Sequence, residues 1–168
     1  MLFTDEVETL DELVIKVKDN EYLHKIKVAV VCFLIENDGK WTLHRRGSEA
    51  RDNHGKLQAI GGSFNINDGT FRDALMREIK EEVGDKAVVE DIKFLAAQVN
   101  RQTDTHTGED IDWIILAYTG KHTSGEYINM EPSRCVGFES AYPGEFNKED
   151  LATSPNKFIK YYIENIEK

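Results

Sequence analysis

Between Leu57 and Gly84 an extended piece, Leu57 to Ile60, meets the pair Gly61-Gly62 and then a polar loop that feeds a run of helical period. This order forces a strand-to-helix turn whose backbone, lacking Cβ, can approach another group closely or take φ > 0. Thr70 can cap the helix, and Asp73 can return the bond much as Glu does in a capping box. Phe71, Leu75, Ile79 and Val83 then repeat every four residues until Gly84 ends the pattern. At about 100° per residue, Glu78, Glu81 and Glu82 share an arc of roughly 100° on that helix. Glu78 and Glu82, four apart, repel by roughly 0.2–0.5 kcal/mol in an isolated helix. By the same angular count Arg77 and Lys80 project elsewhere. The expected neutraliser is therefore a hard cation that prefers oxygen ligands, Mg²⁺ or Mn²⁺. Ala74, one turn before Glu78, is expected to leave room for a ligand. The plainer reading of the same residues is a solvated acidic face after an ordinary Gly-Gly turn.

Upstream, KIKVAVVCFLIE (25–36) is rich in β-branched and aromatic residues, and Asn37, Asp38 and Gly39 supply turn chemistry before Trp41 to His44, which predicts a hairpin. The polar segment Gly47 to Lys56 reads as a loop. Strands are expected over Ile92 to Asn100 and Ile111 to Tyr118, joined by a polar stretch, with a shorter one over Cys135 to Ala141. Ser154 and Pro155 open a last helix that gathers Phe158, Ile159, Tyr162, Ile163 and Ile166 on one face. In the first 24 residues Thr9 and Glu12 suggest a capped helix, although VIKVK alternates like a strand.

With 31 acidic against 21 basic residues the formal charge is −10, and no stretch supplies the clustered Lys and Arg that long nucleic acid requires. No apolar run approaches the roughly 18–20 residues of a membrane span. The opening MLFTDEVETLDEL is acidic where a signal peptide is basic, so a cytoplasmic protein is expected. Cys32 lies in an apolar run and Cys135 is far from it, with no CxxC pair, so both read as free thiols and Cys32 as core filler.

Gly62 through Gly84 resembles the Nudix box, G-x5-E-x7-R-E-U-x-E-E-x-G-U with U a bulky apolar residue. Arg77, Glu78, Ile79, Glu81, Glu82 and Gly84 stand at the family's R, E, U, E, E and G. The first half departs from the pattern. Counting forward from Gly62 puts Asp68 at the first Glu, with eight residues before Arg77 instead of seven, while counting back from Arg77 puts Gly69 there. Asp85 stands at the final U. The segment Asn129-Met130-Glu131-Pro132-Ser133-Arg134-Cys135, leading to Phe138, is similar to an N-x-E-P-x-K-C segment of some nucleotide-acting members, and reads equally as a Pro-containing connector.

The resemblance implies an α+β fold, a Nudix-like αβα sandwich with a mixed β-sheet between helices. It implies a hydrolase domain over 25–168 behind an N-terminal extension over 1–24. It further implies Mg²⁺-dependent (or Mn²⁺-dependent) hydrolysis of a nucleoside diphosphate linked to another moiety. Glu78 and Glu82 would be metal ligands, Glu81 a third ligand or the base, and Arg77 the residue that orients a box carboxylate. Gly61, Gly62, Arg46 and Glu131 are the expected substrate contacts. The partner would be a small nucleotide derivative, with no long nucleic acid and no membrane, and a homodimer is expected because many related domains pair. One alternative is a catalytically weak nucleotide-binding or regulatory domain. Another is the related isopentenyl diphosphate isomerase, which needs a Cys and a Glu beside its metal. His44, Arg45 and Arg46 end a strand where they could meet phosphates or water. Trp113, Tyr118 and Phe138 could line a base pocket or fill the sheet core, and His106 reads as a loop residue.

Overall fold

The computed structural model describes residues 2–18, 25–104 and 107–167, so His106 lies outside the described residues. The elements follow as β1 (Leu2–Phe3), α1 (Leu10–Lys18), β2 (Lys25–Ile35), β3 (Trp41–Arg46), β4 (Leu57–Gln58), β5 (Ile60–Ser63), α2 (Phe71–Val83), β6 (Val88–Thr103), β7 (Asp110–Ser124), β8 (Cys135–Ala141) and α3 (Thr153–Asn165). Single 3₁₀ turns occur at Ile66–Asp68 and Pro143–Glu145.

The strands form one mixed sheet in the order β1-β6-β7-β2-β3-β4, with β5 also on β2 and β8 also on β3. All pairings are antiparallel except β2 with β7, which run parallel from Lys25↔Ile111 to Ile35↔Lys121. The free side of β2 forks: its end meets β3 at Leu34↔Thr42, and its middle meets β5 at Val30↔Gly62 and Val31↔Gly61. The piece read as one strand from Leu57 to Ile60 is thus divided at Ala59 between two partners.

Both faces of the sheet are covered, which explains why VAVVCFLI is continuously apolar. Val28, Val30, Cys32 and Leu34 of β2 and Ile114, Leu116 and Tyr118 of β7 pack with α1 and α2. Phe33, Trp41, Leu43, Leu95 and Ala117 pack with Phe158 and Ile159 of α3. On the second face Ala29, Val31, Trp113 and Ile115 line an open cleft.

The helices follow the expected periods, with two corrections. In α2, Phe71, Leu75, Ile79 and Val83 are buried, and Thr70 and Asp73 exchange both capping bonds. Ala74, however, is fully buried among them and leaves no ligand space, because it sits on the core side one step from Leu75. Ile166 falls beyond the end of α3 and is 49% exposed, so the apolar face of that helix ends before it. In the first segment helical spacing wins over alternation, since Leu13 and Val17 are buried while Ile15 faces water. Val7, Leu13 and Val17 all join the α2-side core, the Phe71 N–H donates to the Glu8 carbonyl, and Arg72 pairs with Glu6 at 2.8 Å. No helix among the described residues is long and apolar enough to cross a membrane.

Candidate active site

Gly61 takes φ 150°, and a Cβ there would lie 2.0 Å from the Val30 carbonyl oxygen, so only glycine lets β5 lie this close against β2. Gly62 is open for a different reason: a Cβ would lie 2.5 Å from Oε2 of Glu78. The pair therefore brings α2 down onto the sheet with a carboxylate in contact with bare backbone. One turn along, the Gly61 N–H donates to Oε2 of Glu82 at 3.2 Å.

Arg77 organises the other acids. Its Nε and Nη2 grip Asp68 at 2.6 and 2.8 Å, Nη1 donates to Glu78 at 2.7 Å and Glu81 at 3.1 Å, and Nη2 also reaches the Ser63 carbonyl. The bidentate grip on a carboxylate was expected, and its holder is Asp68 rather than Gly69. The expectation that Arg77 points away from the glutamate face is corrected, because its long side chain folds back over Glu78 and Glu81. The inserted residue is absorbed by the turn Ile66–Asp68, which Asn65 caps and Gly69 leaves at φ 87°.

The electrostatics are uneven. Hydrogen bonds from Arg77 hold Asp68 below the usual carboxylate range. Burial raises Glu78 despite Arg77, and burial raises Glu82 well above its ordinary value against the single Gly61 bond, with Glu131 and Glu78 adding repulsion. Among the described residues Glu82 has no basic group within ion-pair distance, whereas Glu81 is largely exposed. Also among the described residues, no three His, Cys, Asp or Glu side chains gather closely enough to hold a metal ion. The geometry gives the reason, since Arg77 Nη1 draws Glu78 and Glu81 to itself. The donor set still suits a hard cation: three carboxylates, one of them, Glu82, partly buried and without a positive partner among the described residues.

These acids line one end of a cleft of about 830 Å³ that also takes in Gly61, Gly62, Arg46 and Glu131. Arg46 is braced by Asp52, through its carbonyl at 2.7 Å and its carboxylate at 2.9 Å. The segment 129–135 connects the end of α2 to the loop after β3: the Met130 N–H donates to the Glu82 carbonyl, and the Arg134 carbonyl accepts from the Gly47 N–H at 2.6 Å. Trp113 lines the cleft, but Tyr118 is fully buried on the opposite face and Phe138 packs on Tyr127 in the core, so alternation along β7 separates the two candidates. His44 lines the cleft too. It is 5% exposed, its Nε2 has no partner among the described residues, and burial lowers its pKa to about 4. Arg45 instead pairs with Glu139 of β8. Cys32 is wholly buried with its thiol pushed up by burial, which leaves the isomerase reading without a reactive cysteine there. Arg51, Gln58 and Asn100 also line the cleft and were not foreseen. The polar positions of β6 opposite Trp113 were the available signal for Asn100.

The NUDIX domain family matches residues 25–162. No curated protein matches the chain by sequence. Among solved structures, a MutT NUDIX hydrolase from Burkholderia pseudomallei is similar at a TM-score of 0.65 and 22% identity, covering 82% of this chain and 98% of that one. A MutT protein from Methanosarcina mazei has TM-score 0.66 and 18% identity over 88% and 99% of the two chains. The NUDIX domain of Shewanella oneidensis NrtR, complexed with ADP ribose, has TM-score 0.65 and 17% identity over 94% and 99%. At these identities the likeness is one of fold.

Proposed function

The chain belongs to the NUDIX family, and from that premise we propose that it hydrolyses the phosphoric anhydride bond of a nucleoside diphosphate linked to another moiety, with Mg²⁺ or Mn²⁺ as cofactor. The observation that carries the proposal is Glu82, a partly buried carboxylate at the Gly61-Gly62 turn beside Glu78 with no cation within ion-pair distance among the described residues. Glu78 and Glu82 would hold the ion, which would neutralise the diphosphate in an acidic groove and stabilise charge that develops as the bond breaks. Gly61 and Gly62, which line the cleft, would set Glu82 and Glu78 against the diphosphate. Arg77 fixes Glu78 and Glu81 from one side, and the exposed Glu81 carboxylate would be either the third ligand or the base that takes a proton from the attacking water. Arg46 and Glu131 line the same end of the cleft as substrate contacts.

The test is Glu82→Gln against Glu90→Gln, assayed on a panel of nucleoside triphosphates, dinucleotides and sugar nucleotides. Removing a partly buried charge that lacks a cation partner should make the metal-free protein slightly more stable, while the rise in melting temperature caused by millimolar Mg²⁺ disappears. Turnover should fall by about a hundredfold or more. Wild-type turnover in Glu82→Gln would remove this residue from the mechanism. A second reading, nucleotide binding without turnover, is favoured by the bonds that already tie Glu78 and Glu81 to Arg77. It predicts nucleotide binding with no phosphate or pyrophosphate released across the panel. The homodimer expectation is tested by sedimentation at micromolar concentration, where a lone 19.2 kDa species would exclude it.

A further inference from the structure

We propose that Trp113 is the platform on which the planar base of the substrate stacks, with Arg51 and Lys27 at its faces. The identity of the substrate rests on the nucleotide reading above; the site itself rests on the surroundings of the ring. The other tryptophan, Trp41, is fully buried against Phe33 and Tyr162, with centroids 4.8 and 4.6 Å away. Trp113 is half-buried in the cleft and, among the described residues, meets no aromatic ring. Its neighbours are two cations: Lys27 Nζ lies 5.4 Å from the ring centroid and Arg51 Cζ also 5.4 Å.

Among the described residues neither cation has a carboxylate within ion-pair distance, although acidic groups outnumber basic ones by 31 to 21. Two positive charges without acidic partners among the described residues therefore flank the one large aromatic ring that the cleft presents, Arg51 from the cleft wall and Lys27 from the adjoining second pocket. That arrangement suits a ligand both planar and anionic. Arg51 sits on the exposed loop after β3, and its contact with the ring is of the weak, solvent-exposed kind that a stacked base can displace. Asn100, which lines the cleft, is the cross-strand partner of Trp113 and accepts a hydrogen bond from Gln98 through its Oδ1, which leaves its amide N–H₂ as the donor for an acceptor on the edge of a base.

Trp113, Arg51 and Ser63 also border a second pocket of about 420 Å³, whose other walls include Leu10, Phe64 and Ile66. The ring thus stands between the acidic cleft and an apolar recess. An alkyl chain placed there would strip water from Lys27 and Arg51 without offering them a π face, so a base is the better occupant.

The test titrates the full chain, in EDTA, with the 5′-monophosphates of adenosine, guanosine, uridine and cytidine, while NMR follows the two indole N–H signals. At least one nucleotide should shift the Trp113 signal and leave that of buried Trp41 in place. Trp113→Ala should weaken that nucleotide's binding about tenfold or more, and Trp113→Phe should restore most of it. Arg51→Ala, on an exposed loop, should weaken it by about threefold and gives a reading even if Trp113→Ala fails to fold. No shift with any of the four, or a shift with geranyl diphosphate alone, overturns the proposal. Neither metal nor bond cleavage enters this measurement, so the two readings fail separately. A shift without hydrolysis of any nucleotide keeps the subsite and removes the hydrolase; hydrolysis with KM unchanged in Trp113→Ala removes the subsite alone.

Discussion

Gly61 and Gly62 are neighbours in sequence with opposite tolerances, and the difference separates fold from chemistry. An added methyl at Gly61 meets the Val30 carbonyl oxygen at 2.0 Å and the Val31 Cα at 2.7 Å, and both belong to backbone locked in the sheet. At Gly62 it meets only the carboxylate of Glu78, the far end of a side chain that can swing. Gly61→Ala should therefore cost about 2–4 kcal/mol in chemical denaturation. Gly62→Ala should cost under about 1 kcal/mol, yet lower turnover by about a hundredfold, because it displaces a proposed metal ligand by an ångström or more. Near-normal turnover in Gly62→Ala would mean that the position of Glu78 against the turn is immaterial. The sequence made the glycine pair legible as a place of close approach. Which group approaches each glycine depends on the register Val30↔Gly62, a long-range contact that no local pattern encodes. Arg77 departs from its helical angle for a related reason: the angle locates a Cβ, and a guanidinium on a long stem can return to the face its Cβ leaves.

At the scale of elements, α2 was legible almost to the residue, because Thr70, Asp73, the four-residue apolar repeat and Gly84 all signal the same boundaries. The loop before it was not, since an inserted residue and a shortened acid look like damage when read separately. Together they compensate: Asp68 is one methylene shorter than Glu, and the extra residue turns through Ile66–Asp68 and Gly69 so that both carboxylate oxygens reach Arg77. This compensation predicts coupling. Asp68→Glu alone or deletion of Gly69 alone should each cost about 1–2 kcal/mol by mispositioning a charge-assisted bidentate bond. The two changes combined should recover to within about 0.5 kcal/mol of the starting protein, a coupling well outside additivity. Thermal or urea unfolding of the three variants measures it, and simple addition of the two losses would show that Asp68 and the insertion are unrelated.

For the whole molecule, helices pack on both faces of the sheet, and the layer over Val28, Val30, Cys32 and Leu34 must be complete for that side of β2 to stay dry. The family match begins at residue 25, and the first 24 residues read as an extension in sequence because their helix is short and equivocal. In the fold, Val7, Leu13 and Val17 are buried with Val28, Phe71 and Leu75, and the Glu8 carbonyl takes the Phe71 N–H at the start of α2. That role was illegible because the contacts span some sixty residues of chain, and periodicity reports only that a segment has an apolar side, not what it covers. Burying three such side chains contributes on the order of 5 kcal/mol at about 1.5–3 kcal/mol each, against a total stability of roughly 5–15 kcal/mol for a domain of this kind. A chain of residues 25–168 should consequently be marginal, with a melting temperature lowered by about 10 °C or more, or should fail to fold. Leu13→Ala in the full chain should reproduce a graded part of the loss, about 2–5 kcal/mol. Because α1 also supplies Leu10 to the recess beside Trp113, the same truncation, if it stays folded, should weaken nucleotide binding more than it alters the pyrophosphate end of the cleft. A 25–168 chain that melts and binds like the full protein would return the first segment to the status of an appendage.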